Sequence, residues 1–204
     1  MKKMFLLGDS ISGHYGPFLA EFLSGTYEIF SKPREDADAK QKYYGGNGGD
    51  SSMVLEYIRE REAQEDLDFD LFVFNCGLHD IKRKVPEEYY QVPIDQYEQN
   101  LKAIYQILTG KGIPCIFVNT TPVDEVKHCT EIPAGIKRYN ADVQAYNEVA
   151  ARIAAKYQVP VLDLYSFSDH ISGDKYCDYA HFNIETRKIQ AAFLTGGILS
   201  CAAK

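Results

Sequence analysis

Apolar residues come along this chain in short blocks that stop at glycine or polar residues, and the blocks alternate between two periods. Met4, Phe5, Leu6 and Leu7 form a continuous run that ends at Gly8-Asp9-Ser10. Residues 71–74, 114–118 and 159–164 repeat that pattern, as strands buried on both faces do, and residues 27–30 alternate as a strand does. Between these runs the spacing turns helical. Residues 14–23 carry Phe18, Leu19, Phe22 and Leu23, with Pro17 expected in the tolerant first turn. Met53, Val54, Tyr57 and Ile58 follow Asp50 or Ser51 as N-cap, and residues 97–108 set Leu101, Ile104, Tyr105 and Leu108 on one face. Two more helices are expected over residues 139–157 and 183–199. Alternating strands and helices predict an α/β protein, a three-layer α/β/α arrangement of five parallel strands with helices on both faces. Residues 82–93, 123–135 and 165–179 read as irregular connections.

Polar groups gather where the strands end. In an open parallel sheet those carboxyl ends face the ligand crevice, so their residue types bear on chemistry. Ser10 follows the first strand, Gly77-Leu78-His79-Asp80 the third, and Asn119-Thr120-Thr121 the fourth. The segment Gly8-Asp9-Ser10 supports two readings, a turn whose Asp or Ser caps the next helix, or a nucleophile delivered at a strand end. Beyond the second strand, a polar stretch over residues 32–44 runs into Gly45-Gly46-Asn47-Gly48-Gly49, whose amides are expected to face outward at a helix N-terminus. A second Gly-Asp-Ser, Gly49-Asp50-Ser51, has no strand directly ahead of it, and Ser51 is assigned a capping role. Asp178 and His181 stand three residues apart before the last helix, a spacing that lets the carboxylate hold the imidazole.

Composition narrows the partners. The 204 residues carry a net charge of -7 with scattered basic residues, which argues against nucleic acid and anionic membrane surfaces. The apolar run behind Met1-Lys2-Lys3 is too short for a signal peptide, and no stretch is long enough for a membrane span, so a soluble cytoplasmic protein without membrane insertion is expected. Five cysteines are widely spaced and form no C-x-x-C pair, which fits neither a disulfide framework nor a zinc site; Cys76 and Cys115 read as buried hydrophobes. A metal site from Asp9, His79 and Asp80 lacks ligand spacing, and no phosphate-binding glycine motif is present. No repeat or linker interrupts the pattern, so residues 1–204 are expected to form one domain.

Taken in order, Gly8-Asp9-Ser10, Gly49, Gly77-Leu78-His79-Asp80 and Asp178-Tyr179-Ala180-His181 resemble the motif blocks of the SGNH or GDSL hydrolases, over essentially the whole chain. The resemblance implies a flavodoxin-like fold and a serine esterase needing no cofactor. Ser10 would be the nucleophile, His181 the base and Asp178 its orienting acid. The Ser10 and Gly49 backbone N–H groups would form the oxyanion hole with a third donor. That third donor is an asparagine in the family, and His79 occupies its place here. A neutral imidazole can donate one N–H to an oxyanion; the alternative is a structural imidazole paired with Asp80. His14, His128 and His170 are expected at the surface or behind the site. Cys177 is set aside as a nucleophile because no strand delivers it.

The substrate expected from the resemblance is a small acyl ester, an O-acetyl group on a carbohydrate in the leading version, with the Tyr43-Tyr44 and Tyr89-Tyr90 pairs offering flat amphipathic surfaces. A lysophospholipid or thioester is the alternative within the family. Outside it stands a non-catalytic module whose glycine loop and Ser10 turn hold an anion. Oligomeric state is not expressed in the sequence.

Overall fold

The computed structural model describes residues 1–33, 45–84, 86, 88–130 and 135–202. Strand β1 (Lys2–Leu7) leads into helix α1 (Ser10–Phe22), then β2 (Tyr27–Ser31), α2 (Ser51–Ala63) and β3 (Leu71–Phe74). Two short strands follow, β4 (Arg83–Lys84) and β5 (Tyr89–Tyr90), then α3 (Ile94–Gly110), β6 (Cys115–Val118) and α4 (Glu125–Thr130). The chain continues through β7 (Ile136–Lys137), α5 (Asn140–Lys156), β8 (Val161–Leu162), α6 (Leu164–Asp169) and α7 (Ile184–Ala202).

Five strands pair in parallel in the order β2-β1-β3-β6-β8, with Met4 opposite Leu71 and Phe72 opposite Cys115. This is the flavodoxin-like order, whose reversal at β1 and β3 opens a crevice beyond their carboxyl ends. Met4 to Leu7, all of β3 and all of β6 are buried, which is why those segments are continuously apolar. The edge strand β2 alternates between buried and half-buried positions. Helices α1 and α7 pack together, and α2, α3 and α5 form the other helical layer.

Several elements depart from the sequence expectation. Helix α1 starts at Ser10 rather than at His14, because the Asp9 carboxylate caps it by accepting from Ile11 N–H at 2.9 Å. Pro17 therefore lies inside the helix, where its nitrogen cannot donate to the Gly13 carbonyl; burial of Ile11, Tyr15 and Leu19 holds the helix together. The expected surface loop over residues 82–93 instead contributes β4 and β5 to a three-stranded antiparallel sheet with β7. Two-residue strands are too short to show a period of two. Bidentate bonds from Arg83 to Asp142, at 2.8 and 2.6 Å, fasten that sheet to α5. Helices α4 and α6 lie in stretches expected to be irregular, and the stretch over residues 34–44, with Tyr43 and Tyr44, lies outside the described residues.

Candidate active site

Ser10 is the first residue of α1, so its N–H has no acceptor inside the helix, and the residue lines the crevice beyond β1. Asp9, fully buried, uses its side chain on the helix and not on the crevice. Burial raises the Asp9 carboxyl, against the bonds it accepts from the start of α1.

The segment before α7 brings in two more groups. Asp178 Oδ1 accepts from Ala180 N–H at 2.8 Å and from His181 N–H at 2.7 Å, which folds the chain into one tight turn. Asp178 Oδ2 lies 2.7 Å from His181 Nδ1, and His181 Nε2 lies 2.8 Å from Ser10 Oγ. The three side chains thus form one hydrogen-bonded line. Partial burial pushes the Asp178 carboxyl upward, but its bonds from Ala180 and His181 outweigh that and hold it below the usual carboxylate range. An ionised Asp178 must accept, so Nδ1 carries the imidazole proton and Nε2 is left to accept from the serine. The ring of His14 packs at 4.9 Å between centroids on the ring of His181. Desolvation, with Arg187 and His181 nearby, lowers His14 to about 4, so it presents an uncharged surface there.

Across the cavity, Gly77 begins the turn that carries His79. Its φ of 140° is one that side-chain-bearing residues rarely adopt, and Thr120 Oγ1 fills the place a Cβ would take. His79 does not pair with Asp80. Its Nδ1 lies 2.8 Å from Lys82 Nζ, while Asp80 accepts from Ser51 N–H at 3.0 Å and from the Ser51 hydroxyl. Desolvation first, then Lys82 and Arg138, lowers His79 to about 4. The ring is therefore neutral, and because an ammonium only donates, Nδ1 accepts and the single ring proton sits on Nε2.

The cap of α2 is Asp50, whose Oδ1 accepts from Ser52 N–H and Met53 N–H at 3.0 Å. Ser51 takes a different role from the expected one, joining α2 to Asp80 and, through its hydroxyl, to Asn100 Nδ2 at 2.8 Å. The glycine amides turn inward: Gly48 N–H donates to the Gly8 carbonyl at 2.6 Å, and Gly49 N–H to Asn47 Oδ1 at 2.8 Å. Gly49, at φ 77°, lies beneath Asn47, and it is Asn47 that lines the cavity.

The cavity has a volume of about 330 Å³ and brings together Ser10, His181, His79 and Asn47. Lys82, Arg138, Tyr179 and Ile136 complete much of its wall, and none of them was singled out from the sequence. Lys82 could have been noticed, three residues from His79 in a turn; Arg138 stands far away in the chain with no local signal. Of the remaining histidines, His128 is buried behind the cavity wall, where it accepts from Arg138 Nη1 at 2.9 Å, and His170 is exposed, the two positions expected for them. Cys177 directs its Sγ toward the carbonyls of His181 and Phe182. Tyr90, in the small sheet, donates its hydroxyl to Asp142 of α5 and does not line the cavity. Among the described residues, no group of three or more His, Cys, Asp or Glu side chains is placed to hold a metal ion, and no helix is long and apolar enough to cross a membrane.

Comparison with known proteins places these features in a wider set. The family model described as GDSL-like Lipase/Acylhydrolase family matches residues 6–188. The isoamyl acetate-hydrolyzing esterase 1 homolog of Homo sapiens is 23% identical over 176 residues, which span 80% of this chain and 67% of that protein. The Mus musculus homolog is 24% identical over 185 residues, 84% of this chain and 70% of its own. Among solved structures, a lipase/acylhydrolase from Enterococcus faecalis superposes with a TM-score of 0.72 at 17% identity, covering 97% of this chain and 95% of that one. An acetyl xylan esterase superposes with a TM-score of 0.69 at 17% identity, covering 96% and 99%.

Proposed function

The chain belongs to the GDSL-like lipase/acylhydrolase family and is a serine ester hydrolase, and we propose that it removes a small acyl group, an O-acetyl group on a carbohydrate in the leading case, through Ser10, His181 and Asp178. The observation that carries this reading is the unbroken line from Asp178 Oδ2 through His181 to Ser10 Oγ, with bonds of 2.7 and 2.8 Å. A module that only held an anion would have no use for it.

In the proposed reaction Ser10 Oγ attacks the ester carbonyl as its proton passes to His181 Nε2, and Asp178 stabilises the imidazolium. The oxyanion is held by Ser10 N–H, by Gly49 N–H and by His79 Nε2–H. Gly49 must first exchange Asn47 Oδ1 for the substrate oxygen. His181 then gives its proton to the departing alcohol, and in the second half it draws a proton from the water that releases the acyl group. These steps need no cofactor.

A cavity of about 330 Å³ is at the small end for ligand sites and supports a short acyl group over a long chain. The mammalian relatives carry the name isoamyl acetate-hydrolyzing and one structural neighbour is an acetyl xylan esterase, which points the same way. Tyr179 offers the cavity's aromatic wall. The four described cysteines are free, which supports the cytoplasm as the proposed setting. The test is to profile wild type and Ser10→Ala on nitrophenyl esters of graded acyl length and on acetylated sugars. Short-chain turnover that vanishes in Ser10→Ala is expected. Undiminished turnover in Ser10→Ala removes Ser10 from the chemistry, and a preference for long acyl chains redirects the reading to a lysophospholipase or thioesterase.

A further inference from the structure

Arg138 is only 6% exposed and yet lines the cavity that holds Ser10 and His181. A guanidinium has five N–H donors. Two are spent on neutral acceptors, Nε on the Leu78 carbonyl at 2.6 Å and Nη1 on His128 Nε2 at 2.9 Å. That leaves three, including both on Nη2, without a protein acceptor among the described residues. Nη2 is also not among the sealed, unpartnered side-chain atoms, so it is open to the cavity.

Burying a charge this deeply is costly unless a counter-charge is close. No described carboxylate lies within 4.0 Å of Arg138. Asp9 and Asp178 act on it only from a distance, and each is committed elsewhere, to the cap of α1 and to His181. Lys82 lines the same cavity and repels it. His79, which lines the same cavity, is neutral. Two cations thus face one small space in a protein of net charge -7, and the described lining contains no acid.

We propose that the cavity is built for an ester that carries an anionic group, a carboxylate in the simplest case, which docks on the free N–H groups of Arg138 with Lys82 adding its charge while the ester carbonyl meets Ser10. This rests on the esterase reading above and adds the charge of the substrate to it. Arg138 is suited to the task because its Nε and Nη1 are already anchored, so the guanidinium plane is fixed before the ligand arrives and little freedom is lost on binding.

The experiment compares esters that differ only in charge. On the alcohol side, 3-acetoxybenzoate is set against its methyl ester; on the acyl side, 4-nitrophenyl hemiadipate is set against its methyl ester. The expected result for wild type is a kcat/KM at least about tenfold higher for the carboxylate in one arm, equivalent to about 1.4 kcal/mol. The arm that shows it tells which side of the ester carries the charge. That ratio should fall toward one in Arg138→Gln and should shrink with added salt in wild type. Binding of 3-hydroxybenzoate against its methyl ester to wild type, followed by calorimetry, reads the same preference without turnover and without a variant that must fold. Methyl esters hydrolysed at least as well as the carboxylates in both arms, with no tighter binding of the anion, overturn the inference and leave the esterase reading standing. Loss of all turnover with the anion still preferred overturns the esterase reading instead.

Discussion

Lys82 Nζ lies 2.8 Å from His79 Nδ1, and this contact decides which ring nitrogen of the imidazole carries the proton. The ammonium can only donate, so the proton of the neutral ring is left on Nε2, the donor that the proposed oxyanion hole uses. On the proposed mechanism Lys82 is thus a positioning residue acting through His79. On an uncharged ester, which does not engage the Lys82 charge, Lys82→Met is expected to lower kcat about 5- to 10-fold with little change in KM, the worth of one hydrogen bond of about 1 to 1.5 kcal/mol. An asparagine needs no tautomer, so in a His79→Asn background the same substitution should cost almost nothing. A double-mutant cycle on kcat reads this directly, and simple additivity would refute the coupling.

His79 itself should behave as an oxyanion donor. His79→Ala is expected to reduce kcat by about 10² to 10³, while His79→Asn, which restores an N–H, retains most of the activity. The ring is held neutral above about pH 4 by desolvation and by Lys82 and Arg138, so it contributes no inflection to the rate between about pH 5 and 8. The pH–rate profiles of wild type and His79→Asn should therefore superpose after scaling. A limb that disappears in His79→Asn would show that His79 titrates during turnover.

Much of this arrangement can be read from the chain because it is local. The runs at Met4 to Leu7 and over β3 and β6 are apolar for the one reason that both sheet faces are covered, and Asp178 and His181 are joined within one turn. What escaped is non-local or too short for a period. Arg138 reaches the Leu78 carbonyl across 60 positions of sequence, and nothing around it marks it for the cavity. The strands β4, β5 and β7 are two residues each, and the contact that fastens their sheet to α5 joins Arg83 to Asp142 across 59 positions. The start of α1 was hidden by Gly13, Gly16 and Pro17, which weaken helical propensity where tertiary burial outweighs it.

In the proposed mechanism Asp178 holds His181 in the tautomer that can take the serine proton. Asp178→Asn preserves size and still accepts from Ala180 N–H and His181 N–H, but its amide can donate to Nδ1 and turn the ring proton onto Nε2. A fall in kcat of about 10⁴ is expected from that change alone, with the melting temperature nearly constant. Steady-state kinetics beside a thermal melt separates the two effects. A variant that keeps more than a tenth of wild-type kcat would show that Asp178 only shapes the turn.

Asp80 links stability to pH. Burial, with Asp50 adding to it, raises its pKa to about 7 from an ordinary 3.8, against the opposing bonds from Ser51. Between those values the folded protein keeps a proton that the unfolded chain has lost, so the stabilisation from this group is complete below the unfolded value and is lost as pH rises through the folded one. Asp80→Asn keeps an Oδ1 acceptor for Ser51 N–H and hydroxyl and cannot ionise. The melting temperature of the variant minus that of wild type should accordingly grow from about pH 4 to 7 and level off above about pH 8, all other titrating groups cancelling in the difference. Thermal melts in parallel buffers measure it. A difference that stays flat across that range would mean that Asp80 ionises at its ordinary value, with Ser51 and the start of α2 compensating its charge in full.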